Sequence, residues 1–345
     1  MKKIGFDLLK SSIFGSINTF EENGAIKLRR FTDKQMKHFD ATLNYIDKPR
    51  KCRASSGMNI DFYTDSTTVK FKLNCYVASS QSLCYIDIYT DGVMNGHFGY
   101  DAKENGRVST EFEVGNGKKR VTIWLPCLFE ISIANFEIDD NAYFEPAKKD
   151  CSIMFLGDSI TQGYTTEFPS LTYTNIVTSR MNAHGINQGI GGALFDESDL
   201  DAELLFQPDI IFVAYGTNDW YHSADRDLVT NADAFYKRLC SIYPKTKIYA
   251  ILPIWRANIA KVSEIATMSF EEMHIILENI CNKYSVGIIN GLELTPHCAE
   301  FFRSDGTHPN EIGFLQYGEN LYNIIRNTYH ENILDGNLIK KEGKV

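Results

Sequence analysis

The sequence predicts a mixed fold in which an antiparallel β-sandwich precedes an α/β domain with a parallel sheet. Three observations support this prediction. The chain has 345 residues, which is enough for about two domains of roughly 150 residues each. Its first half alternates polar and apolar residues, whereas its second half contains short runs that are apolar on both faces, with helical repeats between them. We therefore expect a sandwich at residues 1–147, an α/β domain at residues 148–330 and a polar tail at residues 331–345.

The strands of the first half are predicted from alternation and from turn residues. Residues 69–77 are apolar at every second position, which places one apolar face on a strand. Residues 85–89 and 129–133 alternate in the same way. Between them, Gly115-Asn116-Gly117 predicts a hairpin turn. No convincing helical repeat is present in this half, so the pattern is typical of an antiparallel sandwich.

The second half predicts parallel strands covered by helices. Strands that are buried on both faces are continuously apolar, because helices cover both sides of the sheet. Apolar residues also recur at helical spacing in residues 232–243, 270–284 and 314–325. Strands that alternate with helices indicate a three-layer α/β domain. The four apolar runs are residues 153–156, 210–214, 248–252 and 286–289.

Charge and composition narrow the classes of function. The chain has 35 Lys and Arg against 44 Asp and Glu, a net charge of −9, so a nucleic-acid partner is not expected. No stretch is long and apolar enough to predict a membrane span. Asp7 and Lys10 interrupt the amino-terminal apolar run, so no signal peptide is predicted. The eight cysteines include no Cys-x-x-Cys pair, which favours free thiols and a cytoplasmic enzyme without a zinc site.

Four polar segments follow the predicted strands or lie in the loops after them. Because the carboxyl ends of parallel strands meet at one edge of a sheet, we expect these segments to form a single pocket. The segments are residues 157–163 (GDSITQG), 187–192 (NQGIGG), 216–219 (GTND) and 305–310 (DGTHPN).

The pocket contains the residue types that nucleophilic catalysis requires. Ser159 lies where a strand turns into a helix, and its hydroxyl becomes a strong nucleophile once a base removes its proton. His308 is the candidate base, and Asp305 could fix its tautomer and stabilise the imidazolium. Asp158 is expected to act as a helix cap, and Asp219 to organise its loop.

A developing oxyanion requires hydrogen-bond donors that are already in place. The candidates are the N–H groups of Ser159 and Gly192 and the side-chain amide of Asn218. One such donor commonly lowers the barrier by about 3 kcal/mol. Glycine at position 192 would let the backbone approach the substrate closely.

These segments, in this order, resemble the sequence blocks of the SGNH hydrolases, the superfamily that includes the GDSL esterases. The blocks of that family centre on a Ser, a Gly, an Asn and a His, usually with an Asp three residues before the His. Counting from Asn187 aligns Gly192, rather than Gly189 or Gly191, with the oxyanion glycine of the family. The resemblance covers about residues 150–327, and the matching residues are Ser159, Gly192, Asn218, Asp305 and His308.

The resemblance implies a flavodoxin-like sheet and ester hydrolysis through a covalent acyl-enzyme, without a metal or cofactor. A jelly-roll-like sandwich before such a domain resembles the two-domain carbohydrate esterases. Some members of that group lack the Asp, but Asp305 is present here, so we expect a full Ser-His-Asp triad.

The leading hypothesis is a serine esterase that removes a short acyl group, with acetyl favoured, from a small-molecule or oligosaccharide ester. The alternatives are a lipase, thioesterase or acyltransferase with the same machinery, or a glycan-binding protein without catalysis. Trp220, Tyr221 and Trp255 follow predicted strands and are candidates for an aromatic wall against a sugar ring. No feature of the sequence indicates an oligomeric state.

Overall fold

The computed structural model describes residues 1–41, 46–224 and 227–334. Two antiparallel sheets form the amino-terminal part of the chain. Their strands are β1 (Lys2–Lys3), β2 (Ile13–Phe14), β3 (Asn18–Glu22), β4 (Ala25–Arg29), β5 (Asn59–Thr64), β6 (Thr68–Val77), β7 (Leu83–Thr90), β8 (Val93–Asp101), β9 (Gly106–Glu113), β10 (Lys119–Trp124), β11 (Phe129–Ile138) and β12 (Phe144–Pro146). In one sheet the strand order is β3-β4-β11-β6-β9, with β1 on β11; in the other it is β12-β5-β10-β7-β8, with β2 on β5.

The apolar faces of the two sheets pack against each other. Along β6, the alternating residues Val69, Phe71 and Leu73 are fully or almost fully buried. They belong to the same core as Ile86 of β7 and Ile123 of β10, which lie in the other sheet. This packing confirms the predicted antiparallel sandwich.

The predicted hairpin at Gly115-Asn116-Gly117 is wrong. Gly115 and Gly117 do adopt positive φ angles, 84° and 79°, and the chain reverses there. However, β9 pairs with β6 in one sheet, whereas β10 pairs with β5 and β7 in the other. The turn therefore carries the chain between sheets, because both flanking strands bury their apolar faces in the shared core.

Three short helices in this part were not predicted. They are α1 (Phe6–Ser11), α2 (Asp33–Ala41) and α3 (Lys48–Lys51). Each is too short to show a helical repeat. A local signal does precede α2, where Thr32 Oγ1 accepts the N–H of Gln35 at 3.1 Å and Gln35 Oε1 accepts the N–H of Thr32 at 3.0 Å. This reciprocal pair is a capping box, which can be recognised in a sequence.

The carboxyl-terminal part is a five-stranded parallel sheet with helices on both faces, as the sequence predicts. The strand order is β14-β13-β15-β16-β17. The strands are β13 (Cys151–Gly157), β14 (Ala183–Gly189), β15 (Ile210–Ala214), β16 (Lys247–Ile251) and β17 (Gly287–Ile289). The helices are α4 (Ser159–Gln162), α5 (Tyr173–Arg180), α6 (Thr217–Tyr221), α7 (Leu228–Ile242), α8 (Ile259–Ser263), α9 (Phe270–Lys283) and α10 (Glu311–Leu334), with 3₁₀ turns at Pro169–Leu171, Glu197–Asp199, Gly291–Glu293 and Ala299–Phe301.

Alternate residues of the central strands pack on opposite helical layers. Met154 of β13 and Val213 of β15 share a core with α7 and α9, whereas Phe155 and Phe212 share one with α5 and α10. The sequence missed β14, because Asn187 and Gln188 interrupt its apolar character. This strand lies at the edge of the sheet and continues directly into the glycine-rich segment.

The predicted boundary at residue 148 lies between β12 and β13. The division into domains stays a prediction, since the two parts also contact each other through buried side chains described below. Helix α10 continues to Leu334, four residues into the predicted polar tail, whereas residues 335–345 lie outside the described part of the chain.

Candidate active site

Ser159 lies at a sharp turn between β13 and the short helix α4. Asp158 precedes it, and its carboxylate accepts the N–H of Ile160 at 2.9 Å, as expected for a helix cap. At Gly157 a side chain would not fit, because a Cβ would lie 2.1 Å from Thr161 Oγ1 and 2.8 Å from the carbonyl oxygen of Ala214. This glycine therefore lets the strand end close to its neighbour and brings Ser159 to the edge of the sheet.

His308 and Asp305 lie beside Ser159, with the imidazole between the hydroxyl and the carboxylate. His308 Nε2 is 2.7 Å from Ser159 Oγ, and His308 Nδ1 is 2.7 Å from Asp305 Oδ2. The second carboxylate oxygen accepts the N–H groups of Thr307 at 2.8 Å and His308 at 3.0 Å. The loop thus fixes the carboxylate, and the carboxylate orients the imidazole towards the hydroxyl.

The two acidic residues near the imidazole differ in their electrostatics. Burial by itself would raise the pKa of Asp305, but the hydrogen bond and charge of His308, with nearby backbone N–H groups, bring it well below its usual range. Burial raises the pKa of Asp158 to about 6, although the N–H of Ile160 and the charge of His308 act against that shift. Asp305 is therefore the anionic partner of His308, and Asp158 serves as a cap.

The glycine-rich segment and the Asn218 loop contact each other. Gly192 has a φ of 83°, a conformation that side chains disfavour. Asn218 Nδ2 donates to the carbonyl oxygen of Ala193 at 3.1 Å, and Asp219 Oδ1 accepts the N–H of Phe195 at 3.1 Å. The amide of Asn218 and the backbone after Gly192 are thus held side by side, at the same sheet edge as Ser159.

Arg256 connects two of the predicted loops, a role that the sequence did not reveal. Its guanidinium donates to Thr217 Oγ1 at 2.9 Å and to Thr307 Oγ1 at 2.7 Å. Its Nε donates to Asn258 Oδ1 at 2.6 Å. Burial lowers the pKa of Arg256 to about 10, with the charges of Asp158 and Asp305 opposing the shift. The sequence signal that could have revealed this role is an arginine shortly after the apolar run at residues 248–252.

Arg30, from the amino-terminal part, reaches the glycine-rich segment. This side chain is 1% exposed, and its Nη1 donates to the carbonyl oxygens of Asn187 at 2.8 Å and Gly189 at 2.6 Å. Its Nε and Nη2 donate to the carbonyl oxygens of Ala54 at 2.8 Å and Lys51 at 2.9 Å. Burial lowers the pKa of Arg30 to about 10. Its four carbonyl partners tie the end of β14 to the segment around α3.

Tyr164 brings a loop of the sandwich close to His308. Its ring centroid is 4.8 Å from that of His308. Its hydroxyl lies 2.7 Å from Ser80 Oγ and accepts from Gln81 Nε2 at 2.6 Å. The position directly after the nucleophile segment could have suggested this contact, but its partners lie more than 80 residues earlier in the chain.

The predicted aromatic wall is wrong for Trp220. This side chain is fully buried, packs edge-on against Phe270 and donates its indole N–H to the carbonyl oxygen of Met268 at 2.9 Å. Residues two positions apart on a helix lie about 200° apart around its axis. Because Asn218 faces the glycine-rich segment, Trp220 faces the core.

Tyr221 and Trp255 differ from Trp220 in that both side chains keep access to solvent. Tyr221 is 45% exposed. Trp255 is half-buried and stacks on His297, with ring centroids 5.6 Å apart. Their contact with a substrate stays a prediction.

Two further geometric observations concern metals and membranes. Within residues 1–41, 46–224 and 227–334, no group of three or more His, Cys, Asp or Glu side chains is placed to hold a metal ion. Over the same ranges, no helix has the length and apolar character needed to cross a membrane.

Comparisons with known proteins identify a family match in the carboxyl-terminal part of the chain. The sequence model of the GDSL-like Lipase/Acylhydrolase family matches residues 155–314, which include Ser159, Gly192, Asn218, Asp305 and His308. No curated protein matches the chain in sequence.

Solved structures with the same fold extend over the sandwich as well. The salicylyl-acyltransferase SsfX3 from a tetracycline biosynthetic pathway is 17% identical, with a TM-score of 0.73 over 92% of this chain and 94% of that one. A putative GDSL-like lipase from Bacteroides ovatus is 19% identical, with a TM-score of 0.69 over 92% and 95%. A family two carbohydrate esterase from Clostridium thermocellum, in complex with cellohexaose, is 15% identical, with a TM-score of 0.64 over 92% and 99%. The chain therefore contains a GDSL-like lipase/acylhydrolase domain at residues 155–314, which supports an enzyme that hydrolyses esters.

Proposed function

We propose that this protein is a serine esterase that removes short acyl groups, with acetyl favoured, from a carbohydrate. The observation that carries the proposal is the unbroken chain from Ser159 Oγ through His308 to Asp305, with 2.7 Å at each contact. This is the arrangement in which a histidine can accept a serine proton while a carboxylate holds its tautomer.

In the proposed mechanism, Ser159 Oγ attacks the ester carbonyl carbon while His308 Nε2 takes the hydroxyl proton. Asp305 stays ionised and stabilises the imidazolium. The tetrahedral oxyanion receives hydrogen bonds from the N–H groups of Ser159 and Gly192 and from Asn218 Nδ2. As the carbon–oxygen bond breaks, His308 returns the proton to the leaving alcohol, and an acyl-Ser159 ester remains.

Water completes the proposed cycle. His308 removes a proton from a water molecule, whose oxygen attacks the acyl carbon and forms a second tetrahedral intermediate. Its collapse breaks the bond to Ser159 Oγ, which regains the proton from His308 as the carboxylic acid leaves.

The carbohydrate part of the proposal rests on the two-part architecture and on two aromatic side chains. The family two carbohydrate esterase crystallised with cellohexaose shares both parts of the fold. Tyr221, the last residue of α6, and Trp255, four residues after β16, present accessible aromatic surface where a sugar ring could stack. A cytoplasmic location is part of the same proposal, and its support is that all eight cysteines are free thiols.

Replacement of the nucleophile tests the proposal. Purified full-length protein should hydrolyse p-nitrophenyl acetate, and Ser159→Ala should lower kcat by at least about 10³-fold, since loss of a catalytic serine costs more than that in comparable triads. Ser241→Ala is the matched control, because its exposed hydroxyl bonds only locally, to the carbonyl oxygen of Arg238. Wild-type turnover in Ser159→Ala would remove Ser159 from the nucleophile role.

The substrate class is tested separately. Mass spectrometry of products from a panel of acetylated oligosaccharides should show loss of acetyl groups with the wild type and none with Ser159→Ala. A series of longer p-nitrophenyl esters should be hydrolysed more slowly than the acetate. Preference for long acyl chains would favour a lipase or thioesterase instead.

Acyl transfer is a second candidate, favoured by the likeness to a salicylyl-acyltransferase over both parts of the fold. The chemistry differs in one step, because an alcohol replaces water as the acceptor of the acyl group. Addition of an acceptor alcohol during turnover distinguishes the two. An esterase should release mostly free acid, whereas a transferase should yield the new ester and little acid.

A further inference from the structure

Lys51 contacts the glycine-rich segment from the amino-terminal part of the chain. It is the last residue of α3, and its half-buried side chain donates from Nζ to the carbonyl oxygen of Gly191 at 2.8 Å. The ammonium nitrogen also lies 3.9 Å from the point where a Cβ on Gly192 would stand. A cation from outside the α/β part therefore lies directly against the predicted oxyanion glycine.

The carbonyl oxygen of Gly191 and the N–H of Gly192 belong to one peptide unit. In a planar trans peptide the C=O and N–H bonds point in opposite directions, so fixing one end fixes the other. A donor at the carbonyl thus determines where the N–H of Gly192 points. Hydrogen bonds also polarise one another through a peptide, and a charged donor does so more strongly than a neutral one.

This peptide requires such a support because it lies between two glycines. Neither residue has a Cβ to restrict rotation about the backbone, and both ends of the unit can turn at little cost. Gln162 Oε1 accepts the N–H of Gly191 at 2.6 Å and holds the preceding unit. Ile46 lies over Gly192, with its Cγ2 3.0 Å from the Cβ position. Lys51 supplies the hydrogen bond at the carbonyl of the unit itself.

The backbone of Lys51 is in turn held by two side chains, one from each part of the chain. Its own carbonyl oxygen accepts from Arg30 Nη2 at 2.9 Å and from Gln162 Nε2 at 3.3 Å. Burial lowers the pKa of Lys51, with Asp47 opposing and Arg50 reinforcing the shift. The same loss of solvent strengthens the influence of its charge on the neighbouring peptide.

We propose that Lys51 is a positioning residue for the oxyanion, which aims and polarises the N–H of Gly192 by binding the carbonyl oxygen of Gly191. This inference rests on the proposed esterase mechanism, because it assigns a support to one of its donors. Lys51 itself does not touch the reacting atoms. It stabilises the transition state through the peptide that it holds.

Substitution of Lys51 should affect the transition state and not substrate binding. Lys51→Met, which keeps the length of the side chain without a donor, should lower kcat for p-nitrophenyl acetate about tenfold and leave KM unchanged. This is less than the loss of about 10²-fold or more that removal of an oxyanion donor itself causes. Lys51→Arg should recover most of the rate, because a guanidinium can also donate to the carbonyl.

An inhibitor that imitates the tetrahedral intermediate gives a second readout. A phenylboronic acid forms a tetrahedral, negatively charged adduct with a serine hydroxyl. Its inhibition constant should rise in Lys51→Met by the same factor by which kcat/KM falls, as expected for an interaction made in the transition state. Arg50→Met is the matched control, since it removes one positive charge from the same helix and its ion pair is with Asp47.

Each result supports or overturns the inference. Unchanged kcat and unchanged boronate affinity in Lys51→Met would overturn it, and so would a rise in KM alone, which would make Lys51 a substrate contact. If Lys51→Met does not fold, Lys51→Gln retains a neutral donor and should lose only part of the rate. A wild-type protein without Ser159-dependent turnover would instead refute the proposed function, which separates the two failures.

Discussion

The amino-terminal part of the chain contacts the parallel sheet at both ends of β14, and the two contacts are built differently. At the carboxyl end of the strand, the Arg30 guanidinium binds backbone carbonyls and has no carboxylate among its bonded partners. At the amino end, Arg120 binds Asp61 through its Nε at 2.8 Å and Asn182 Oδ1 through its Nη2 at 2.7 Å, and Lys149 also binds Asp61. The seven residues of β14 separate the two contacts by about 20 Å, because a strand rises about 3.3 Å per residue.

The difference in bonded partners indicates that the two contacts have different roles. Carbonyl partners impose a direction on each peptide that they belong to, so the contact of Arg30 fixes the shape of the segment that leads to Gly192. A carboxylate between two cations holds two parts together without specifying the course of a loop. We therefore expect changes at the carboxyl end of β14 to alter catalysis and changes at the amino end to alter stability.

Apart from the nucleophile itself, the largest effect on rate is expected at Asn218, the proposed oxyanion donor that is supported from within the α/β part. Asn218→Ala removes a hydrogen bond to the oxyanion, and kcat should fall about 10²- to 10³-fold. Steady-state kinetics with p-nitrophenyl acetate measures this loss, and Asn231→Ala, on the helix α7, is a control away from the site. A fall of less than about threefold would exclude Asn218 from the oxyanion site and leave the Gly192 side as the main donor.

Asp61 should show the opposite behaviour, with a loss of stability and an unchanged rate per folded molecule. Asp61 is 1% exposed, and Asp61→Asn leaves two cations without their partner, at a cost of about 3–5 kcal/mol in the free energy of unfolding at neutral pH. Urea unfolding measures this change. Asp140→Asn is the control, since the ion pair of Asp140 with the amino terminus is exposed and should contribute less than about 1 kcal/mol.

The pH dependence of this effect has a defined sign. Burial alone would raise the pKa of Asp61, but the hydrogen bonds and charges of Arg120 and Lys149 lower it below its usual value. A carboxylate with a lowered folded-state pKa stabilises the protein above its unfolded pKa of about 3.9, and this contribution is lost as the pH falls towards the folded value. The difference between wild type and Asp61→Asn should therefore shrink below about pH 4. A difference that stays constant well below pH 4 would contradict this role of the Asp61 carboxylate, and an equal loss of kcat would contradict the separate roles of the two contacts.

The smallest effect is expected at Tyr164, where the sandwich approaches the base instead of the oxyanion. Tyr164→Phe removes the bonds to Ser80 and Gln81 but keeps the ring beside His308, so kcat/KM should change by no more than about threefold, as for a neutral hydrogen bond. Tyr143→Phe is the control, because its hydroxyl lies on the surface next to Lys118. A loss above about tenfold would show that the base side depends on the sandwich as much as the glycine side does.

The proximity of Ser159, His308 and Asp305 could be predicted because each belongs to a short local pattern at the edge of the sheet. Ser159 and His308 are 149 residues apart, but each follows an apolar strand or a loop whose place at the sheet edge the alternation of strands and helices determines. Arg30 and Lys51 could not be predicted in this way. Their bonds to the glycine-rich segment span 140 to 159 positions and depend on how the amino-terminal and carboxyl-terminal parts of the chain pack together.

The errors in the prediction also have physical causes. The edge strand β14 was missed because its sequence includes polar residues such as Asn187 and Gln188. Trp220 was misplaced because the rotation of the helix, not the distance along the chain, decides which face a side chain takes.

The position of Arg30 has a consequence for any attempt to divide the chain. A fragment that starts at residue 148 would contain Ser159, Asn218, Asp305 and His308, but the carbonyl oxygens of Asn187 and Gly189 would lose their guanidinium. We therefore expect an active fragment to need more of the chain than residues 155–314, the region that the family pattern spans. Exchanging the amino-terminal part for that of another protein would also remove the hydrogen bonds of Arg30 and Lys51 to the glycine-rich segment, so we expect chimeras to succeed only where these two contacts are kept.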